Sequence, residues 1–406
     1  MKRLLRVLAL RDDLSRALIA TMFFGAAGGI VMSILNNYLS DVHQLDASAR
    51  GWLEFPRELP GFLIMFIAGA MLTVMRETRM ASIAMIFTGL GGLGLAWFSP
   101  DVTWLVVWVM VWSLGDHVIF AVEGPIGLKL AKKGGEGRRL GHFGGFRNLG
   151  QITGVGVIYL LSKWIGPRYD VFFSLMAVAA LMAGVLYATL KVGRGDQRSR
   201  RMVFRKKYSI FYVISALFGI RKQIFFAFGT WVLVSLHEVP VSTIALLYFI
   251  AATLGVIFRP LLGDIIDWLG ERVVLAADEI LLLIICMAYA FAGDLFAPNV
   301  ALYVLYGAYV FDSLLFALRI ARTTYLKKIA EDPSHITPTI SMGITIDHVV
   351  AMSLPVLSGY IWEAFGFRWV FVLAGAIALA GFFVCLQIKV PKDEDTMIPG
   401  AASSVR

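Results

Sequence analysis

Arg221 and Lys222 stand side by side in a stretch that is otherwise apolar. Residues 208–219 before them and 224–236 after them are each too short to cross a bilayer, which takes roughly 20 residues. Only together do they span, and this puts two cations near mid-depth. Charge there is costly, and it usually faces a watery cavity and serves a substrate or ion path. Arginine adds bidentate grip on a carboxylate or phosphate, whereas lysine acts as a point charge. Consecutive helical residues lie about 100° apart, so the two need not share a cavity. The competing reading is that they pair with Asp or Glu of neighbouring helices only to neutralise charge. Gln223 is a weaker companion, an amide that can bridge helices.

Other apolar runs carry charge as well. Asp116 and Glu123 share one helix face two turns apart, with His117 beside the first. A carboxylate in a low-dielectric cavity suits reversible protonation, and His is an apt relay, so Asp116 and His117 are candidates for coupling or substrate contact. Glu123 lies nearer the cytosolic end and reads as a gate. Asp312, Arg319 and Arg322 form a similar stripe, with Asp312 deep enough for substrate or coupling and Arg319 placed to gate or snorkel. Arg147 and Asp347 occupy matching positions beside Asn148 and His348, which suggests an ion pair that closes the cavity inward. Glu54, Arg57 and Glu58 sit at i, i+3 and i+4 between Pro56 and Pro60, either as an outer gate or as a self-neutralised cluster. Asn36, Asn37 and Tyr38 offer hydrogen bonds or interfacial anchoring. A metal-binding variant would use Asp116 with His117 and Asp347 with His348, but adjacent helical residues diverge, so no metal site is expected.

The elements that must position these residues are membrane helices. The chain has 406 residues, 58% hydrophobic and only 16% charged, against about 25% charged in soluble domains. Apolar runs predict about twelve spans, near 17–40, 52–75, 80–98, 102–130, 143–165 and 169–190, then 209–236, 242–265, 273–292, 300–326, 339–363 and 368–390. The expected fold class is an all-α polytopic membrane protein of two pseudo-symmetric six-helix bundles. Residues 1–191 form the first, 192–207 a basic linker, 208–391 the second, and 392–406 a disordered tail. Lys and Arg gather at the N-terminus, after the second and fourth spans and in the linker, which is the positive-inside pattern with both termini cytosolic. The start lacks the apolar core of a secretory signal, so it is expected to be retained, in a bacterial-type cytoplasmic membrane.

The halves repeat. With an offset of about 200 residues, 161–173 lies over 359–371, which aligns Gly166 with Gly366 and Arg168 with Arg368. Near an offset of 196, Asp116 falls over Asp312 and Glu123 over Arg319. After the eighth span comes Gly263, Asp264, Asp267, Gly270, Arg272, close to a Gly-x-x-x-Asp-x-x-Gly-x-Arg pattern; the first-half copy, residues 69–79, has Thr73 where the acid belongs. In this plan and motif the chain resembles the major facilitator superfamily over nearly its full length. The resemblance implies alternating access to a midplane site, a cavity lined by the first, fourth, seventh and tenth helices, and a monomer. It makes Gly263, Asp267, Gly270 and Arg272 a conformational motif, with Gly263 allowing close helix contact and Asp267 set against a helix N-terminus. The Thr73 departure argues against a symmetric lock.

These residues point to a secondary active transporter for a small polar solute, anionic or zwitterionic, with the proton as coupling ion. The alternatives are efflux of cationic or amphipathic compounds through the carboxylates, and a sensor or partner protein that does not transport. No GxxxxGK[ST] signature occurs, no nucleophile–base pair marks an enzyme, and no cofactor is implied. Nothing outside the spans is large enough to bind nucleic acid.

Overall fold

The computed structural model describes residues 10–132, 134–192 and 204–390. Most of the basic linker and all of the expected tail lie outside the described residues, as do Lys2, Arg3 and Arg6.

Six helices build the first half: α1 Asp13–Asp41, α2 Ala47–Val74, α3 Glu77–Trp97, α4 Val102–Lys129, α5 Glu136–Ile165 and α6 Tyr169–Ala188. The second half has α7, whose α-helical part is Ser209–Gln223, then α8 Val241–Leu269 and α9 Glu271–Leu295. Next come α10, begun by Pro298–Leu315 and finished by Arg319–Ile329, then α11 Pro333–Phe365 and α12 Phe367–Cys385. Ten of these, taken whole, are long and apolar enough to cross a membrane among the described residues. With α2 and α5 packed among them they make twelve.

Aspartates set several starts. Asp12, Asp46, Asp101 and Asp332 each accept a backbone N–H of the first turn of α1, α2, α4 and α11. The cap at Asp46 is why α2 begins before the apolar run near 52, and Asp332 likewise extends α11 beyond 339–363. Pro56 and Pro60 lie inside α2 without ending it. The repeat shows in the backbone: Gly166 and Gly366 hold matching left-handed positions, φ +71° and +91°, between α5 and α6 and between α11 and α12.

Two cavity helices are not regular. After Gln223, α7 continues in π windings, Ile224–Gly229 and Val232–Leu236. A 3₁₀ turn, Phe316–Leu318, interrupts α10. Such departures concentrate at functional sites, because the altered winding re-aims side chains and loosens the carbonyl ladder.

The two halves meet tightly at the end away from the linker. There Trp52 donates from Nε1 to the Tyr360 hydroxyl at 2.8 Å, and the Ala47 N–H reaches Glu363 Oε1 at 3.1 Å. Asn37 Nδ2 donates to the Val239 carbonyl at 2.8 Å. One buried apolar cluster runs through both halves, joining Ile34, Trp112 and Phe173 to Phe228 and Phe371. A second, around Ala17, Met80, Ile126 and Tyr187, belongs to the first half alone. Toward the linker the ion pairs among the described residues stay within one half, Lys129 with Glu77 in the first and Lys207 with Glu331 and Lys328 with Glu271 in the second. The structure is closed at the far end and open at the linker end.

Candidate functional site

Three charged groupings occupy the middle of the bundle. The first lies between the halves. Arg50, Glu54, Arg57 and Glu58 form a ladder along α2, with Arg50 and Glu54 fully buried. Arg50 also donates from Nε to Asn36 Oδ1 at 2.8 Å. From the other half, Gln223 takes a long hydrogen bond from Arg57, 3.4 Å, and donates to Glu54 Oε2 at 3.3 Å. Lys222 Nζ lies 3.1 Å from Asp347 Oδ1 and 3.8 Å from Glu58 Oε2. His348 Nδ1 is 2.9 Å from Glu58 Oε2. The α2 triad is thus a self-neutralised cluster, but it is extended across the interface. Arg50, which the sequence reading passed over, completes it.

The second grouping is internal to the second half. Arg221 turns away from Lys222, as their 100° separation allows, and donates to Asp278 Oδ1 at 2.7 Å and to Asp312 Oδ1 at 3.1 Å. Its side chain is only 4% exposed. Glu279 follows Asp278 and packs against Gly381. Asp278 and Glu279 escaped the sequence reading, although acids inside an apolar run are the same signal that marked Arg221. Here the neutralising reading of Arg221 describes the geometry.

The third grouping faces the open end. Arg147 pairs with Glu123 across α5 and α4, and its guanidinium lies over Phe24 and Phe120. Arg319 lies against Phe316, and Arg322 over Phe218 at 4.5 Å. Arg147, Arg259 and Arg319 are near enough to repel one another, as are Arg319 and Arg322, while Asp347 attracts the last two. Arg322 Nη1 and Arg147 Nε are buried donors without a hydrogen-bond partner among the described residues. Arg259 was not singled out from sequence.

The expected Arg147–Asp347 pair does not form. Those residues sit on α5 and α11 of different halves, parted on the open side, and each has a nearer partner in Glu123 and Lys222. Asp116 stays within the first half, accepting from Thr88 at 3.1 Å and Trp112 at 2.9 Å. His117 turns elsewhere, toward His348 of the other half; their ring centroids are 5.2 Å apart. Of the conformational motif, Gly270 makes the tight turn, φ +80°, between α8 and α9. Gly263 meets open space rather than a helix, and Asp267 and Arg272 are exposed. A motif on the linker side has nothing to hold while that side is open.

The sequence profile of the Major Facilitator Superfamily matches residues 17–330. The chain belongs to that superfamily. Among solved structures it is similar to the nucleoside transporter NupG, with 12% identity and a TM-score of 0.76 over 93% of this chain and 99% of that one. It is similar to a D-xylose-proton symporter, with 16% identity and a TM-score of 0.71 over 93% and 97%. An auto-inhibited POT family peptide transporter gives 12% and 0.72 over 94% and 98%. At such identities the likeness is one of fold. No curated protein matches the sequence. As a superfamily member the chain is a secondary-active transporter, not an enzyme, and carries small molecules across a lipid bilayer by alternating access.

Proposed function

We propose that this transporter carries a small organic or inorganic anion, or a zwitterion gripped by its acidic group. The observation that carries the reading is the group of four arginines, Arg147 of the first half and Arg259, Arg319 and Arg322 of the second, close enough for neighbours to repel one another. Among the described residues Glu123 pairs with Arg147, Asp116 also attracts it, and Asp347, shared with Lys222, attracts Arg319 and Arg322. Aromatic faces lie against Arg319 and Arg322, and neither is in a salt bridge among the described residues, which leaves guanidinium donors for a ligand. Anion binding thus moves from Arg221, buried in its own ion pairs, to the arginines of α5, α8 and α10. Arg319, read from sequence as a gate, becomes a ligand contact.

The proton remains the proposed coupling ion. Asp278, Glu279 and Asp312 surround a single guanidinium, Arg221. Three carboxylates and one cation at mid-depth leave room for a proton to be taken up and released. By the positive-inside pattern the open end faces the cytosol of a bacterial-type inner membrane.

The test is stabilisation of the purified protein by a panel of organic anions, cations and neutral sugars, since a ligand of the folded state raises its melting temperature. Anions should stabilise, and Arg322→Gln should remove the effect while still folding. Hits then go to flux assays in proteoliposomes with and without a pH gradient. Stabilisation by cations alone, indifferent to Arg322→Gln, overturns the reading in favour of cation efflux. Binding without flux would favour a sensor.

A further inference from the structure

We propose that Glu58, His117 and His348 form a binding site for a divalent transition-metal ion of the zinc class, and that the ion clamps the two halves together. One donor atom of each residue lies within 4.8 Å of the others. Glu58 and His117 come from α2 and α4 of the first half, and His348 from α11 of the second. Ligands of a tetrahedral zinc ion, bonded at roughly 2.0–2.1 Å, lie about 3.4 Å apart. Glu58 Oε2 and His348 Nδ1 are already 2.9 Å apart, so side-chain movements of about 1 Å would seat the ion.

The surroundings favour ligation in two ways. His117 Nδ1 lies 2.8 Å from the Ser113 carbonyl, a bond in which the ring nitrogen donates. That fixes the tautomer and leaves Nε2 with its lone pair, the arrangement by which ligating imidazoles are oriented. The Ser113 hydroxyl in turn donates to the Arg57 carbonyl, which ties α4 to α2 at this level. Gly61 makes the room: a Cβ there would stand 2.4 Å from His117 Nε2 and 2.5 Å from His348 Cε1. The rings approach each other across a position that any other residue would fill.

The charges near the site set its chemistry. Arg57 holds Glu58 Oε1, Lys222 approaches Oε2, and Glu54 and Asp347 balance those cations. Arg50, Arg57 and Lys222 against Glu54, Glu58 and Asp347 leave the cluster neutral. An anion in its fourth position, hydroxide or a ligand carboxylate, offsets one of the two charges that a divalent ion adds, and Lys222 must swing fully to Asp347. A soft-to-borderline ion that prizes imidazole meets these terms better than Mg²⁺ or Ca²⁺, which prefer all-oxygen shells. Because His348 belongs to the other half, the three donors stay together only while the far end is closed. The ion would hold this conformation and arrest the cycle.

The full-length protein in detergent, stripped with a chelator, would be titrated with Zn²⁺, and with Co²⁺ as a coloured stand-in. One ion per chain is expected, with the intense visible absorption of four-coordinate Co²⁺, a raised melting temperature and no comparable effect of Mg²⁺. His117→Asn and His348→Asn should each weaken binding by at least about tenfold, since loss of an outer-shell partner alone costs 10–100-fold. A cysteine placed at Asn37, on the closed end, should become less reactive to an impermeant thiol reagent when Zn²⁺ is added, and not in His348→Asn. Absence of binding, or binding equally tight in both histidine variants, overturns the site. If neither variant folds, a weak six-coordinate Co²⁺ spectrum in the wild type does so.

Discussion

At the residue scale the decisive fact is how differently two neighbouring cations are used. Arg221 is enclosed by Asp278 and Asp312, whereas Lys222 stands between the halves. Removing one member of a buried ion pair costs about 3–5 kcal/mol, because the partner is left charged and unpaired. Arg221→Gln should therefore lower the melting temperature whether or not a ligand is present. Arg322→Gln should leave unliganded stability nearly unchanged and abolish stabilisation by anions. If Arg221→Gln proves stable and blind to anions while Arg322→Gln behaves as wild type, the assignments must be exchanged. A second contrast concerns Arg147. Exchanging charges with its observed partner, Glu123→Arg with Arg147→Glu, should restore the folding that either reversal alone impairs. The exchange with Asp347, read from sequence as its partner, should restore nothing in this conformation.

At the element scale, rigid and convertible contacts can be told apart. Within the first half, Gly91 of α3 lies against the backbone of Trp112, where a Cβ would stand 2.5 Å from its nitrogen. That contact does not change as the halves rock, so Gly91→Val should only destabilise, and equally with or without anions or Zn²⁺; thermal melts check this. The helices themselves were legible from sequence because twenty apolar residues between polar breaks leave few alternatives in lipid. The turn at Gly270 was legible for the same local reason. The π windings after Gln223 and the break at Phe316–Leu318 were not, since hydrophobic periodicity does not record a local change of winding. Partners were the least legible of all. Sequence placed Arg147 and Asp347 at matching repeat positions, but which carboxylate lies nearest depends on which end of the molecule is open. Asp278 and Glu279 were readable by the rule applied to Arg221, since they too interrupt an apolar run.

At the scale of the whole molecule, the closed far end, the arginines at the open end and the histidine site are tied together by the seam where α2 meets α11. Gly51 sits on that seam, and a Cβ there would stand 2.2 Å from the Pro355 carbonyl oxygen, well inside contact distance. The obstacle is backbone, which cannot rotate aside, so Gly51→Val should make the closed far end costly while leaving each half intact. The population should then move toward a conformation opened at that end. A cysteine at Asn37, whose side-chain amide donates to Val239 across the halves, should become reactive to the impermeant thiol reagent. Zn²⁺ affinity should fall as well, although Gly51 touches none of the three ligands, because His348 would be carried away from Glu58 and His117. Anion stabilisation through α5, α8 and α10 should change too, since the same rocking closes the linker end around those arginines. A simple loss of stability would expose residue 37 together with the buried Cys286 and Cys385, whereas rocking of the halves exposes residue 37 alone. Exposure of residue 37 with undiminished Zn²⁺ affinity would separate the metal site from the rocking of the halves and remove the basis for a clamp.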